Sequence, residues 1–180
     1  MNTRILNVVG ASFGLLFAIM LCMFSAGTSS TGLAIISGMF VLITFGISMI
    51  IAIKEENLSM TKSILSIISS ALGLLFGIMF FMFDSKAGLG FTQVICFLTF
   101  LTIYLKSQLS FFIPDNKEKM QKILELTGSL FGIIFSIFFY CIPFTQSSSV
   151  ALDWSATFGF LYFFTVLSES IFALINNGEV

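Results

Sequence analysis

The sequence predicts an all-α polytopic membrane protein, with six transmembrane helices as three tandem helical hairpins in parallel orientation. Three observations carry that prediction. Of 180 residues, 57% are hydrophobic and 9% charged, with a mean hydropathy of +1.07; soluble domains carry roughly a quarter charged residues. The apolar residues fall into six long runs, each close to the ~20 residues a helix needs to cross a hydrocarbon core of about 30 Å. Finally, one unit is written three times: the segment beginning Ile5-Leu6 and ending at Phe17 returns from Ile64-Leu65 to Phe76 and from Ile123-Leu124 to Phe135, at a constant offset of 59 residues.

The first run, 5–24, resembles a secretory leader in length, but bulky Phe24 fits poorly where a processing site wants small residues. It also matches the third and fifth runs position by position, so its loss would strip its partner helix of a packing surface, and it is expected to be retained. The second run, 33–53, follows a polar stretch of small residues (25–32) and ends at Lys54-Glu55-Glu56-Asn57. The third, 64–83, and fifth, 123–142, repeat the first. The fourth, 91–113, and sixth, 154–175, repeat the second, and Pro114 and Pro143 stand just beyond the fourth and fifth runs. Runs of this length without alternation satisfy their backbone groups internally as helices, not as barrel strands. The whole chain, 1–180, reads as a single membrane domain of repeats at about 1–59, 60–118 and 119–180, because no loop approaches the roughly 50 residues of a small independent domain.

Orientation follows from Lys and Arg near the helix ends. Arg4, Lys54, Lys62, Lys117, Lys119 and Lys122 fall on the side of the N-terminus, and Lys86 opposite. Both termini are therefore expected to be cytoplasmic. Each repeat crosses twice, so the three copies share one orientation, related by an axis along the membrane normal, and they invite a pseudo-threefold arrangement.

Aligned first helices carry Gly10, Ser69 and Gly128 at one position, Gly14, Gly73 and Gly132 four residues on, and Ala18, Gly77 and Ser136 four further. Small residues at i, i+4 and i+8 form one stripe along a helix, which lets a neighbouring backbone approach closely where lipid removes the hydrophobic drive. These nine are the helix-packing candidates, acting within each hairpin or between the three first helices. Phe17, Phe76 and Phe135 are also common to the copies, as are Ile19, Ile78 and Ile137; the rings read as packing or lipid-facing groups, since no polar handle accompanies them as a cofactor stack would need. The second helices align through Ser48, Ser107 and Ser168, each nine residues before an asparagine, which places a two-residue insertion in the third unit.

Lys106 and Glu169 are charges set well inside apolar runs, at similar depth near the cytoplasmic end. A charge there costs of order 1–3 kcal/mol and ordinarily finds a partner in the bundle interior. The candidate intramembrane site is thus a Lys106–Glu169 pair supported by Gln108 and Ser168; the alternative is that Lys106 snorkels to the headgroups.

Histidine is absent from the chain, which removes the commonest general base and metal ligand. Cys22, Cys96 and Cys141 lie in or beside apolar runs without paired spacing and read as small buried hydrophobes. No nucleophile or phosphate-binding motif stands out, so neither enzyme activity nor a cofactor is expected. A net charge of −1 with no basic cluster excludes nucleic acid as a natural partner. The partners expected are the lipid bilayer and either further copies of the chain or other membrane-protein subunits. The functional expectation is a structural or accessory integral-membrane subunit; the alternative is a small oligomeric channel, a holin-like pore or a transporter component built on Lys106 and Glu169.

Overall fold

A computed structural model describes residues 3–26, 31–54, 59–82, 86–112, 119–143 and 150–176. They form α1 (Thr3–Ser25), α2 (Thr31–Lys54), α3 (Met60–Met79), α4 (Lys86–Phe112), α5 (Lys119–Tyr140) and α6 (Val150–Asn176), with a 3₁₀ turn, Phe80–Met82, extending α3. These six helices are long and apolar enough to cross a membrane. The all-helical, multi-pass class expected from the sequence is therefore what the chain adopts.

Several helices begin before their apolar runs because polar first turns are still helical. At the start of α3 the Ser59 carbonyl accepts from the Ser63 amide at 3.0 Å, so Lys62 belongs to the helix and not to a loop. The end of α5 tightens as the Cys141 amide donates to both Ile137 and Phe138, and Pro143, with no N–H to donate, stands just beyond. Within the spans, hydroxyls bond back to their own helix, as Ser12 does to Val8 O and Thr99 to Ile95 O. This keeps a polar side chain inexpensive in an apolar setting.

Each helix packs against the next in sequence, and α6 packs back on α1, so the contacts close into a circuit. Neighbours run antiparallel. Gly77 of α3 faces Leu42 of α2 while Gly73 faces Phe45, and Ala156 and Phe163 of α6 meet α1 at Cys22 and Gly14. One rim of the ring therefore gathers the α1 start, the α2 end and their counterparts; the opposite rim holds the α1 end and the α6 start. There the Ser25 hydroxyl donates to the Asp153 carboxylate, tying the first helix to the last.

Backbones of α1, α3 and α5 do not run side by side among the described residues, yet their rings meet inside the circuit. Phe17 lies edge-on to Phe76 at 6.0 Å between centroids and to Phe80 at 5.5 Å, and Phe76 lies edge-on to Phe139 at 5.7 Å. Phe17, Phe76, Phe135 and Phe139 are all 0% exposed. Edge-to-face pairs contribute about 0.5–1.5 kcal/mol beyond area burial, which matters more here than in water because lipid tails are as apolar as the rings. Ile19, Ile78 and Ile137 point outward instead, between 40% and 48% exposed. Apolar side chains thus cover the outside as well as the core, as a lipid-solvated surface requires.

Candidate functional site

All nine small residues of the proposed packing stripe are buried. What they face is the even-numbered helices. A Cβ added at Gly10 would meet Ile47 of α2, and one at Gly128 would meet Thr165 of α6. At Gly14 it would meet Phe163 of α6, at Gly73 Phe45 of α2, and at Gly132 both Phe100 of α4 and Tyr162 of α6. The glycines are sockets for large side chains of flanking helices, and the odd-numbered helices meet one another through phenylalanines instead.

Lys106 and Gln108 lie on α4, Ser168 and Glu169 on α6, and all four are half-buried. Their helices are not neighbours in the circuit, because α5 stands between them. Side chains do cross that gap deeper inside: Phe100 and Tyr162 make an edge contact at 4.9 Å. Ser168 donates to Phe164 O at 2.8 Å, within its own helix. Lys106 and Glu169 each have an interaction partner.

The serine alignment needs correcting. Buried positions 34, 37, 38, 41, 44 and 45 of α2 recur in α6 at 152, 155, 156, 159, 162 and 163, an offset of 118, which is twice 59. A two-residue insertion would turn α6 by about 200° and carry that set to the outer face. The register is unbroken, so Lys106 corresponds to Ile47 and Thr165, and Glu169 to Ile51 and Ser110. The recurring serine–asparagine spacing in the third copy is a coincidence of composition.

Several interior polar groups were not singled out by sequence. Lys62, counted above as a charge at a helix end, is 2% exposed, and Gln121, 59 residues later, is 5% exposed; both engage partners. The shared offset was the available signal. Ser66 and Ser107 are buried with hydroxyls that have no hydrogen-bond partner among the described residues. Glu125, about two turns into α5, is half-buried and has an interaction partner. Gln93, near the other rim, donates to Phe139 O at 3.1 Å and Ile142 O at 2.8 Å, filling carbonyls left open at the end of α5.

Buried polar side chains thus lie toward both rims, Lys62 and Gln121 at one and Ser37, Thr92, Gln93 and Ser155 toward the other, around a centre packed with phenylalanines. Between α1, α2 and α6, toward the rim of Lys62, lies a cavity of about 60 Å³, lined among others by Asn7, Gly10, Thr44, Ser48 and Tyr162. Among the described residues no three Cys, Asp or Glu side chains converge on a metal-binding geometry. No family model, curated protein or solved structure matches the chain.

Proposed function

We propose that this protein is a structural or accessory integral-membrane subunit, built as three parallel hairpins around a pseudo-threefold axis and assembling through its transmembrane faces with itself or a larger complex. The hairpins are 3–54, 60–112 and 119–176, with both termini on the cytoplasmic side. Recurrent burial supports the threefold reading. Positions 10, 14, 17, 18 and 21 are buried again at both 59 and 118 residues further on, and so are 34, 37 and 41. The nine stripe residues are the packing sockets that hold the hairpins together.

The observation that carries the functional reading is the filled axis. Among the described residues phenylalanines from α1, α3 and α5 pack inside the circuit and fill its centre, and the extended surfaces are the outer apolar faces. Purification from native membrane under mild detergent tests this: a stoichiometric assembly is expected, and a lone monomer in every detergent would defeat it.

A second reading, a transporter or channel component, is favoured by the half-buried charged residues Lys106, Glu125 and Glu169 within the spans. Charge-bearing groups within a span ordinarily mark ion or substrate paths. Ion flux through liposomes containing the purified chain would promote that reading over the first.

A further inference from the structure

We propose that the second hairpin, α3 with α4, tilts outward at its Lys62 end and opens a blind, water-filled vestibule inside the circuit, the closed circuit being one of two states. The wall that this motion wets is wholly polar in this hairpin alone. From Lys62 to Ser70 the buried residues of α3 are Lys62, Ser66, Ser69 and Ser70, and over 101–112 those of α4 are Ser107 and Ser110. At the same register the first hairpin buries Leu6, Ala11, Phe45, Ile51 and Ala52 among others, and the third mixes Gln121, Ser129 and Ser170 with Tyr162 and Phe163. Polar side chains within a span are costly against apolar surroundings and belong where water reaches them.

Two of the six are unsatisfied in the closed circuit. Ser69 and Ser70 donate to the Ser66 carbonyl at 3.1 and 2.8 Å, the ordinary way a hydroxyl is satisfied within a helix. The hydroxyls of Ser66 and Ser107 find no partner among the described residues, and both oxygens are enclosed, with almost no surface on which a water could rest. Each has given up its hydration for nothing, and an open state returns it. They also share one level. Thr92 donates to Met79 O across the hairpin, and counting from there at 1.5 Å per residue both serines lie about 20–22 Å toward the Lys62 rim.

The fastenings of this hairpin are concentrated in its other half, which makes that half the pivot. Gly73 and Gly77 take Phe45 and Leu42 of α2 at separations a Cβ could not share, and Gln93 holds two carbonyls of α5. Toward Lys62 the corresponding socket is missing: hairpins one and three close on Gly10 and Gly128, whereas the second carries Ser69 at that position. The opening is blind because Phe17 and Phe76 at 0% exposure and Phe80 at 1% fill the centre beyond it. Ser37 and Ser155, also without partners, stand past that layer among buried Ala34, Val41, Leu152 and Ala156 and have no polar wall around them. Tilting of one hairpin against the rest of the circuit is the kind of motion that repeat-built membrane proteins use. It adds a movement to either reading of the function, and its failure would leave both standing.

The test places single cysteines in a chain whose native cysteines are replaced by alanine, held in open membrane fragments. The variants are Ser66→Cys, Ser107→Cys, Ser37→Cys and Met60→Cys, the last at an 81% exposed position that gives the rate of an open site. Charges of both signs stand toward the Lys62 rim, Lys62 and Lys106 on this hairpin and Glu125 and Glu169 on the third, so impermeant methanethiosulfonates of either charge are used. With the open state populated at about 0.1–10%, Ser66→Cys and Ser107→Cys should react roughly ten- to thousandfold more slowly than Met60→Cys with at least one reagent. Ser37→Cys should stay unreactive. Equal rates at 66, 107 and 37 would overturn the opening, and rates at 66 and 107 matching Met60→Cys would replace it with a permanently hydrated wall. Should one of the two wall variants not fold, the other decides.

Discussion

Substituting Gly73 by alanine tests the socket description at its tightest point. An added Cβ would stand 2.1 Å from Cδ1 and Cγ of Phe45, where carbon atoms prefer about 3.5–4.0 Å, so ring or helix must move by roughly 1.5 Å. Phe45 is 5% exposed and hemmed in by the core, and forcing extra volume into a packed interior costs typically about 1–3 kcal/mol. Two internal comparisons calibrate that figure. At Gly10 the nearest contact would be Ile47 Cγ2 at 3.1 Å, needing a shift of only tenths of an ångström, and at Gly90 nothing lies within 4 Å. Gly90→Ala should therefore gain the helix-propensity difference of about 0.8–1.0 kcal/mol. Gly10→Ala should come out near neutral. Unfolding in mixed micelles, followed by helicity against denaturant fraction, should separate Gly73→Ala from Gly90→Ala by about 2–4 kcal/mol, or roughly 30- to 1000-fold in the folding equilibrium. Equal stability of the two variants would refute the packing argument.

Gln93→Leu removes the donor to two α5 carbonyls and should destabilise the fold by about 1–3 kcal/mol, with faster hydrogen exchange confined to the end of α5; unchanged exchange there would disprove the capping role. Of the three cysteines read from the sequence as buried hydrophobes only Cys96 is buried, while Cys22 and Cys141, near the rim opposite the N-terminus, are exposed. An impermeant maleimide should therefore label Cys22 and Cys141 in intact cells and leave Cys96 unmodified; labelling only after the membrane is opened would reverse the orientation. Should Lys106 and Glu169 pair, charge reversal at either one alone should lower stability by about 1–3 kcal/mol, and the double reversal should recover most of it. A double variant as unstable as the sum of the singles would remove the pair.

The membrane class and the helix count were legible because hydropathy and run length are local properties. The buried stripe of the odd-numbered helices was legible too, since a 59-residue offset laid three versions of one face side by side. What the stripe receives was not: that Gly14 takes Phe163 and Gly73 takes Phe45 depends on how distant helices are ordered around the circuit. The sixth helix was misaligned because Ser168 shares with Ser48 and Ser107 only a residue type, whereas burial at 37, 96 and 155 reports the actual face. Lys62 was read as a charge at a helix end because lysine rarely sits fully buried, and only the adjoining helices show it enclosed.

Closure of α6 on α1 can be read directly from an engineered disulfide, introduced by Ser25→Cys together with Asp153→Cys in a chain whose three native cysteines are replaced by alanine. The wild-type side chains at these two positions are hydrogen-bonded to each other across the helices. With a protease site inserted between α2 and α3, mild oxidation in native membrane should leave the two cleaved fragments joined as one band of monomer mass, separating on reduction. Fragments that fall apart without reductant, or bands that link two chains in place of one, would contradict a ring closed within a single copy.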